Sequence, residues 1–237
     1  MENNPHSHDH YNAADDLISR NIKAGRGNKI AFRDRSGVHR YFDIEKKTNQ
    51  FANLLISMNI KQESRLILVM TDSAEFVICF LGAIKAGVVP VPLNTRLSSE
   101  DYAYIFSDSR ADACVISEHL VDIVLKNIPK PANVLVDGSS NTYSALASAL
   151  ESADKTKVTA YTKPDDVCFW LYTSGTTGIP KGIVRDIGGH IVALKWTMKN
   201  IYNIDENDVW WSASDIGWIV GHSYIVYAPL FKGCTTI

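Results

Sequence analysis

Between residues 173 and 182 the chain reads Thr173-Ser174-Gly175-Thr176-Thr177-Gly178-Ile179-Pro180-Lys181-Gly182, a run dense in groups that can hold an anion. Thr173, Ser174, Thr176 and Thr177 supply hydroxyls, and Lys181 supplies a mobile cationic donor. The glycines at 175, 178 and 182 let the backbone come close to a ligand and take positive φ without a Cβ clash. Backbone N–H groups, hydroxyls and an ammonium converging on one spot suit phosphate. The run is not a Walker A loop, because Gly175 is followed five positions later by Pro180 rather than by Gly-Lys-Ser/Thr. No GxGxxG dinucleotide fingerprint occurs either. A flexible Ser/Thr/Gly linker is the competing reading of the same composition. Position favours phosphate: the run directly follows Val167-Cys168-Phe169-Trp170-Leu171-Tyr172, a strongly apolar strand.

A second group lies downstream. Trp218-Ile219-Val220 can be plain core or the wall of a small apolar pocket. His222 has the residue type of a general base but is read as a structural histidine. Asp215 is read as orienting its own turn, Arg185 and Asp186 as a local pair, and Trp210-Trp211 as core. His6, His8 and His10 could capture a metal but read more simply as part of a solvated tail over residues 1–11. No metal ligands are assigned.

The elements that must position these groups follow from periodicity. Asn12 ahead of Asp15 marks a helix start. Asp43 is expected to cap a second helix, since Ile44, Phe51, Leu54, Leu55 and Met58 share one face. Leu66–Met70 reads as a buried strand and Ser73–Ala86 as a helix closed by Gly87. Val88–Val91 is a further strand, Ser98 with Asp101 a capping box, and Ala113–Ile116 and Asn133–Val136 two more strands. Beyond the loop, a helix over Gly189–Asn200, a strand near Val209–Ser212, a helix from about Gly221 and a strand over Cys234–Ile237 complete the pattern. Continuous apolar strands alternating with amphipathic helices predict an α/β fold, with helices packed on mostly parallel β-sheets. The polar stretch from Ser139 to Lys163 predicts a connection, dividing a first α/β subdomain (12–160) from a second (161–237) that carries the loop.

Composition excludes some functions. A chain of 237 residues with a formal net charge of −2 has no global attraction for nucleic acid or an anionic membrane, so anion binding must be local. Phe76–Ile84 is too short to span a bilayer. The start lacks a signal-peptide pattern. The four cysteines, at 79, 114, 168 and 234, form no CxxC pair and are read as reduced packing residues of a cytoplasmic protein.

The segment Tyr172–Gly182 resembles the signature of the adenylate-forming (acyl-CoA synthetase, AMP-binding) superfamily, a long and specific match. Lys181–Gly189 and Ala213–Leu230 are similar to short-chain acyl-CoA synthetases, the propionate- and acetate-CoA ligases. Tyr11–Leu17 and Phe80–Gly87 are more similar to benzoate- and medium-chain CoA ligases. The resemblance implies the N-terminal lobes of that fold and a two-step reaction. A carboxylate attacks the α-phosphorus of ATP to give acyl-AMP and pyrophosphate, and the coenzyme A thiol then displaces AMP. It implies that Thr173, Ser174, Gly175, Thr176, Thr177, Gly178 and Lys181 hold the phosphates with Mg²⁺, with Lys181 the catalytic cation. It also implies that Trp218 lies beside the substrate carboxylate and that Ile219 and Val220 line a slot suited to a short acid. An aryl acid is the alternative, and a non-catalytic nucleotide- or acyl-binding fragment a second. The adenine- and ribose-binding motifs, the hinge and the C-terminal domain with its lysine are expected beyond Ile237. The chain is therefore expected to be the N-terminal portion of the enzyme.

Overall fold

The computed structural model describes residues 10–129, 133–174, 178–186 and 188–237. Helix α1 (Ala13–Lys23) opens where a short amide can cap it: Asn12 Oδ1 accepts from the Asp15 N–H at 3.2 Å. A hairpin of β1 (Ile30–Asp34) and β2 (Gly37–Arg40) then leads into α2 (Tyr41–Ser57). This helix begins before the expected cap. Asp43 sits inside the first turn, and its carboxylate reaches back to accept from the Arg40 N–H at 2.8 Å.

An alternating series follows: β3 (Arg65–Val69), α3 (Ala74–Lys85), β4 (Val89–Pro92), α4 (Ser99–Ser109) and β5 (Ala113–Ser117). It continues with α5 (Val121–Leu125), β6 (Val134–Asp137), β7 (Ser144–Ala145) and α6 (Leu146–Ser152). The Ser73 hydroxyl accepts from the Phe76 N–H to start α3, and Gly87 beyond its end takes φ +74°. The predicted capping box is present at α4: Asp101 N–H to Ser98 Oγ at 3.1 Å, and Ser98 N–H to Asp101 Oδ2 at 3.3 Å.

These strands form a parallel sheet in the order β4-β3-β5-β6-β7. Alternation along each strand sends side chains into two separate cores. Leu66, Leu68, Val115 and Leu135 meet α1, α2 and α3 on one side. Ile67, Val69, Cys114, Ile116 and Val136 meet Tyr102, Ile105 and Phe106 of α4 and Val124 of α5 on the other. The molecule is thus an α/β fold with helices on both faces of a mostly parallel sheet system.

The remainder comprises β8 (Val167–Ser174), β9 (Pro180–Asp186), α7 (Gly189–Asn200), β10 (Val209–Trp210), α8 (Ile219–His222), α9 (Ala228–Lys232) and β11 (Thr235–Thr236). A π-type segment, Ser223–Tyr227, joins α8 to α9. Strand β11 inserts between β10 and β1, parallel to both, so residues from the two ends of the chain share one sheet. Side chains tie the same regions: Asn21 Nδ2 donates to the Leu230 carbonyl at 2.7 Å, and Tyr41 Oη to the Cys234 carbonyl at 2.9 Å. All four cysteines are buried and unbridged. Among the described residues no helix is long and apolar enough to cross a membrane.

Candidate active site

Strands β8 and β9 pair antiparallel, with Tyr172 opposite Gly182, Thr173 opposite Lys181 and Ser174 opposite Pro180. The glycine-rich run is therefore a hairpin connection, not a strand-to-helix turn. Among the described residues the run leads into strand β9 and not into a helix, so the groups it offers an anion are hydroxyls and Lys181. Cross-strand partners share a sheet face, which places the Thr173 hydroxyl and the Lys181 ammonium on one side. Gly178 takes φ +80° with open space where a Cβ would stand, so its conformation, and not crowding, requires glycine. Gly175, Thr176 and Thr177 lie outside the described residues.

Strand β8 is anchored at the loop's base. Tyr172 Oη donates to Asp108 Oδ2 on α4 at 2.6 Å. Burial, followed by that bond to a carboxylate, pushes the phenol well above its ordinary range and keeps it a donor. Further back, the Arg65 guanidinium lies 5.5 Å from the Trp170 ring centroid.

The second group reaches the same place. Residues of the loop (Tyr172, Thr173, Gly178, Pro180) and of the downstream turn (Gly217, Trp218) line one cavity of about 450 Å³. Leu93, Leu97 and Ile105 supply its apolar surface, and Arg96 a cation. The turn is held by two carboxylates, one of them its own. Asp215 Oδ1 accepts from the Gly217 N–H at 2.8 Å, and Asp72 Oδ1 accepts from the Ile216 N–H at 3.2 Å. Burial, with the nearby Asp215 carboxylate, raises Asp72 above the usual carboxylate range. Gly221 allows the turn to close, because a Cβ there would stand 1.9 Å from the Asp215 carbonyl oxygen.

The structure separates residues that the sequence placed together. Trp218 lines the cavity at its half-exposed edge, whereas Ile219 and Val220 begin α8 and are not among the lining residues. His222 is fully buried, with Nδ1 2.9 Å from the Trp218 carbonyl oxygen. Arg185 and Asp186 do not pair, since adjacent strand residues point to opposite faces; Asp186 instead accepts from the Gly189 N–H at the start of α7. The two tryptophans also divide, Trp210 ending β10 and Trp211 lying beyond it. Trp210 packs on Tyr202 and Tyr224, while Trp211 is 70% exposed.

Arg96, Asp108 and Asp72 were not singled out from the sequence. Each is an isolated charged residue in an unremarkable local pattern, and only tertiary contact brings it to the site. Elsewhere, a groove of about 700 Å³ is lined by Lys46, Lys47 and Lys155 facing Asp43, Glu75 and Glu151, a mixture with no convergent chemistry.

Comparison with known proteins bears directly on this geometry. The profile of the AMP-binding enzyme family matches residues 19–237. A benzoate–CoA ligase from Thauera aromatica is 36% identical over 231 residues, covering 96% of this chain and 44% of that protein. The mitochondrial acyl-CoA synthetase short-chain family member 3 of Rattus norvegicus is 30% identical over 258 residues, covering 96% and 37%. The crystal structure of a benzoate CoA ligase from Burkholderia xenovorans LB400 superposes with a TM-score of 0.85 at 33% identity, covering 96% of this chain and 45% of that one. The chain thus spans under half the length of the relatives it matches.

Proposed function

This chain belongs to the AMP-binding enzyme family, and from that premise we propose that its cavity serves ATP-dependent activation of a small carboxylic acid on the way to a coenzyme A thioester. The observation that carries the proposal is the shared cavity, in which the phosphate-type loop and the Asp215–Trp218 turn meet. Bond making between a carboxylate and a phosphate needs both held in one place and in line.

The chemical obstacle is that one anion must attack another. The carboxylate oxygen attacks the α-phosphorus of ATP, the bond from that phosphorus to the β-phosphate bridging oxygen breaks, and pyrophosphate leaves. The thiol of coenzyme A then attacks the acyl carbon and AMP departs. The nucleophile is already ionised at neutral pH, so no general base is required for the first step. What the protein supplies is fixed positive and hydrogen-bonding charge. Thr173, Ser174, Gly175, Thr176, Thr177, Gly178 and Lys181 are assigned to the β- and γ-phosphates. Arg96 stands at the same cavity as an additional cation for an anionic part of a substrate. Among the described residues no three potential metal ligands converge. A magnesium ion bound with the nucleotide would neutralise phosphate charge that Thr173 and Lys181 help to hold.

Trp218 is assigned to the acyl side, and the assignment of Ile219 and Val220 to the acyl group rests on their place next to it in the sequence, since neither lines the cavity. Two readings of the acid remain distinct. The short-chain reading rests on Trp218-Ile219-Val220 and the surrounding residues 213–230. The aryl reading rests on the 36% identity with a benzoate–CoA ligase. ATP–pyrophosphate exchange across a carboxylate panel, measured on the full-length enzyme, decides between them. Preference for propionate or acetate supports the first and preference for benzoate the second. No exchange with any acid, beside undiminished nucleotide binding, would leave only a binding module.

A further inference from the structure

His222 does more than fill space. A carbonyl oxygen can only accept, so the bond at 2.9 Å to Trp218 O places the imidazole proton on Nδ1. The backbone N–H of His222 donates to the same oxygen at 3.2 Å, so this carbonyl is held twice. Trp218 is the extended residue ahead of α8 and has no side-chain cap of its own. The remaining nitrogen, Nε2, is buried as an acceptor with no partner among the described residues. Burial, followed by the neighbouring His190, lowers the imidazole pKa to about 3, which keeps it neutral and in a single tautomer at neutral pH. A leucine of similar bulk would pack there without stranding a nitrogen, so packing alone gives no reason for histidine.

The other side of the ring faces the loop strand. The imidazole meets Phe169 edge to face, with centroids 4.9 Å apart at 73°. Phe169 lies on β8, just upstream of Tyr172 and Thr173. One side chain therefore touches both halves of the cavity: the turn that presents Trp218 and the strand that leads into the loop.

We propose that His222 is a positioning residue that sets the spacing between the acyl and phosphate halves of the cavity, through its Nδ1–H bond to Trp218 and its contact with Phe169. The proposal rests on the carboxylate-activation reading, since that reaction is what needs the two halves in register. A displacement of about 1 Å at a reacting centre costs about 100-fold in rate. His222→Leu is accordingly expected to lower pyrophosphate exchange by about 10- to 100-fold. Its melting temperature should stay within about 4 °C of the wild type, because the lost Nδ1–H bond and ring contact are offset by removal of a buried nitrogen without a partner.

The test that isolates position from activity is ¹⁹F NMR of protein labelled with 5-fluorotryptophan. There are five tryptophans, and the Trp218 resonance is identified by its loss in Trp218→Phe. In His222→Leu the Trp218 resonance should shift or broaden while that of the exposed Trp196 stays in place. His222→Asn, whose amide can donate from near the Nδ1 position, should return it. An unmoved Trp218 resonance in the leucine variant would overturn the proposal. So would movement of every resonance with a falling melting temperature, unfolding of the leucine variant, or failure of asparagine to restore the signal. If wild-type protein exchanges pyrophosphate with no carboxylate, the functional reading fails, and the resonance still decides the role of His222.

Discussion

Lys181 carries the largest expected effect at the scale of single residues. It stands opposite Thr173 at the mouth of the loop and is exposed, so it has little packing role to lose. Lys181→Ala should leave thermal stability within about 0.5 kcal/mol, as is usual for surface positions. In the full-length enzyme, ATP–pyrophosphate exchange should fall by about 10- to 1,000-fold, the scale of removing one donor that stabilises transition-state charge. Unchanged exchange would remove Lys181 from the catalytic assignment. The residues around it divide by whether their chemistry is local. The glycines and hydroxyls of the loop announce themselves as a run. Asp108, which accepts from Tyr172, and Arg96, which lines the cavity, gain their meaning only from the fold.

Among the elements, α1 and α3 are joined by a charge with no access to water. The Lys85 side chain is fully buried, its Nζ 3.5 Å from Asp15 Oδ1 and without a hydrogen bond among the described residues. Burial, partly offset by Asp15, lowers its pKa. Asp15 is held as well by the more exposed Lys157 at 2.9 Å, so it keeps a partner if Lys85 is replaced. Lys85→Met should therefore be neutral or stabilising by about 1 kcal/mol, as when buried ion pairs are replaced by apolar groups. Asp15→Ala should instead cost about 3 kcal/mol, since it leaves a buried ammonium unpaired. Urea unfolding at pH 7 measures both, and equal losses in the two variants would contradict the asymmetry. The start of α3 is guarded in a different way. Asp34 Oδ2 accepts from the Ala74 N–H at 2.8 Å, so the chain's own carboxylate occupies a place where an anionic ligand could sit.

The whole molecule is stitched by contacts between its first and last segments. Strand β1 pairs with β11, and α1 and α2 each donate a buried side-chain hydrogen bond to the region around α9. All five tryptophans lie between residues 170 and 218, whereas most helix is nearer the N-terminus. Tryptophan fluorescence and far-UV circular dichroism should consequently follow one urea transition with a common midpoint. Separated midpoints would show that the two regions unfold independently. The same connectivity explains what could be read without it. Alternating apolar runs, capping residues and a ten-residue phosphate-type loop are written in short-range spacing, so the sequence by itself determined the α/β class, the boundaries of α3 and α7, the start of α4, and the residue make-up of the loop. Neighbouring positions could not disclose the hairpin β1–β2 or the antiparallel return of β9, because strand pairing depends on partners distant in sequence. The β1–β11 pairing, the cavity joining Thr173 to Trp218, and the fully buried His222 between them also required the tertiary structure. Each is a meeting of segments dozens to hundreds of residues apart, and burial, with the desolvation that follows it, is a property of that meeting.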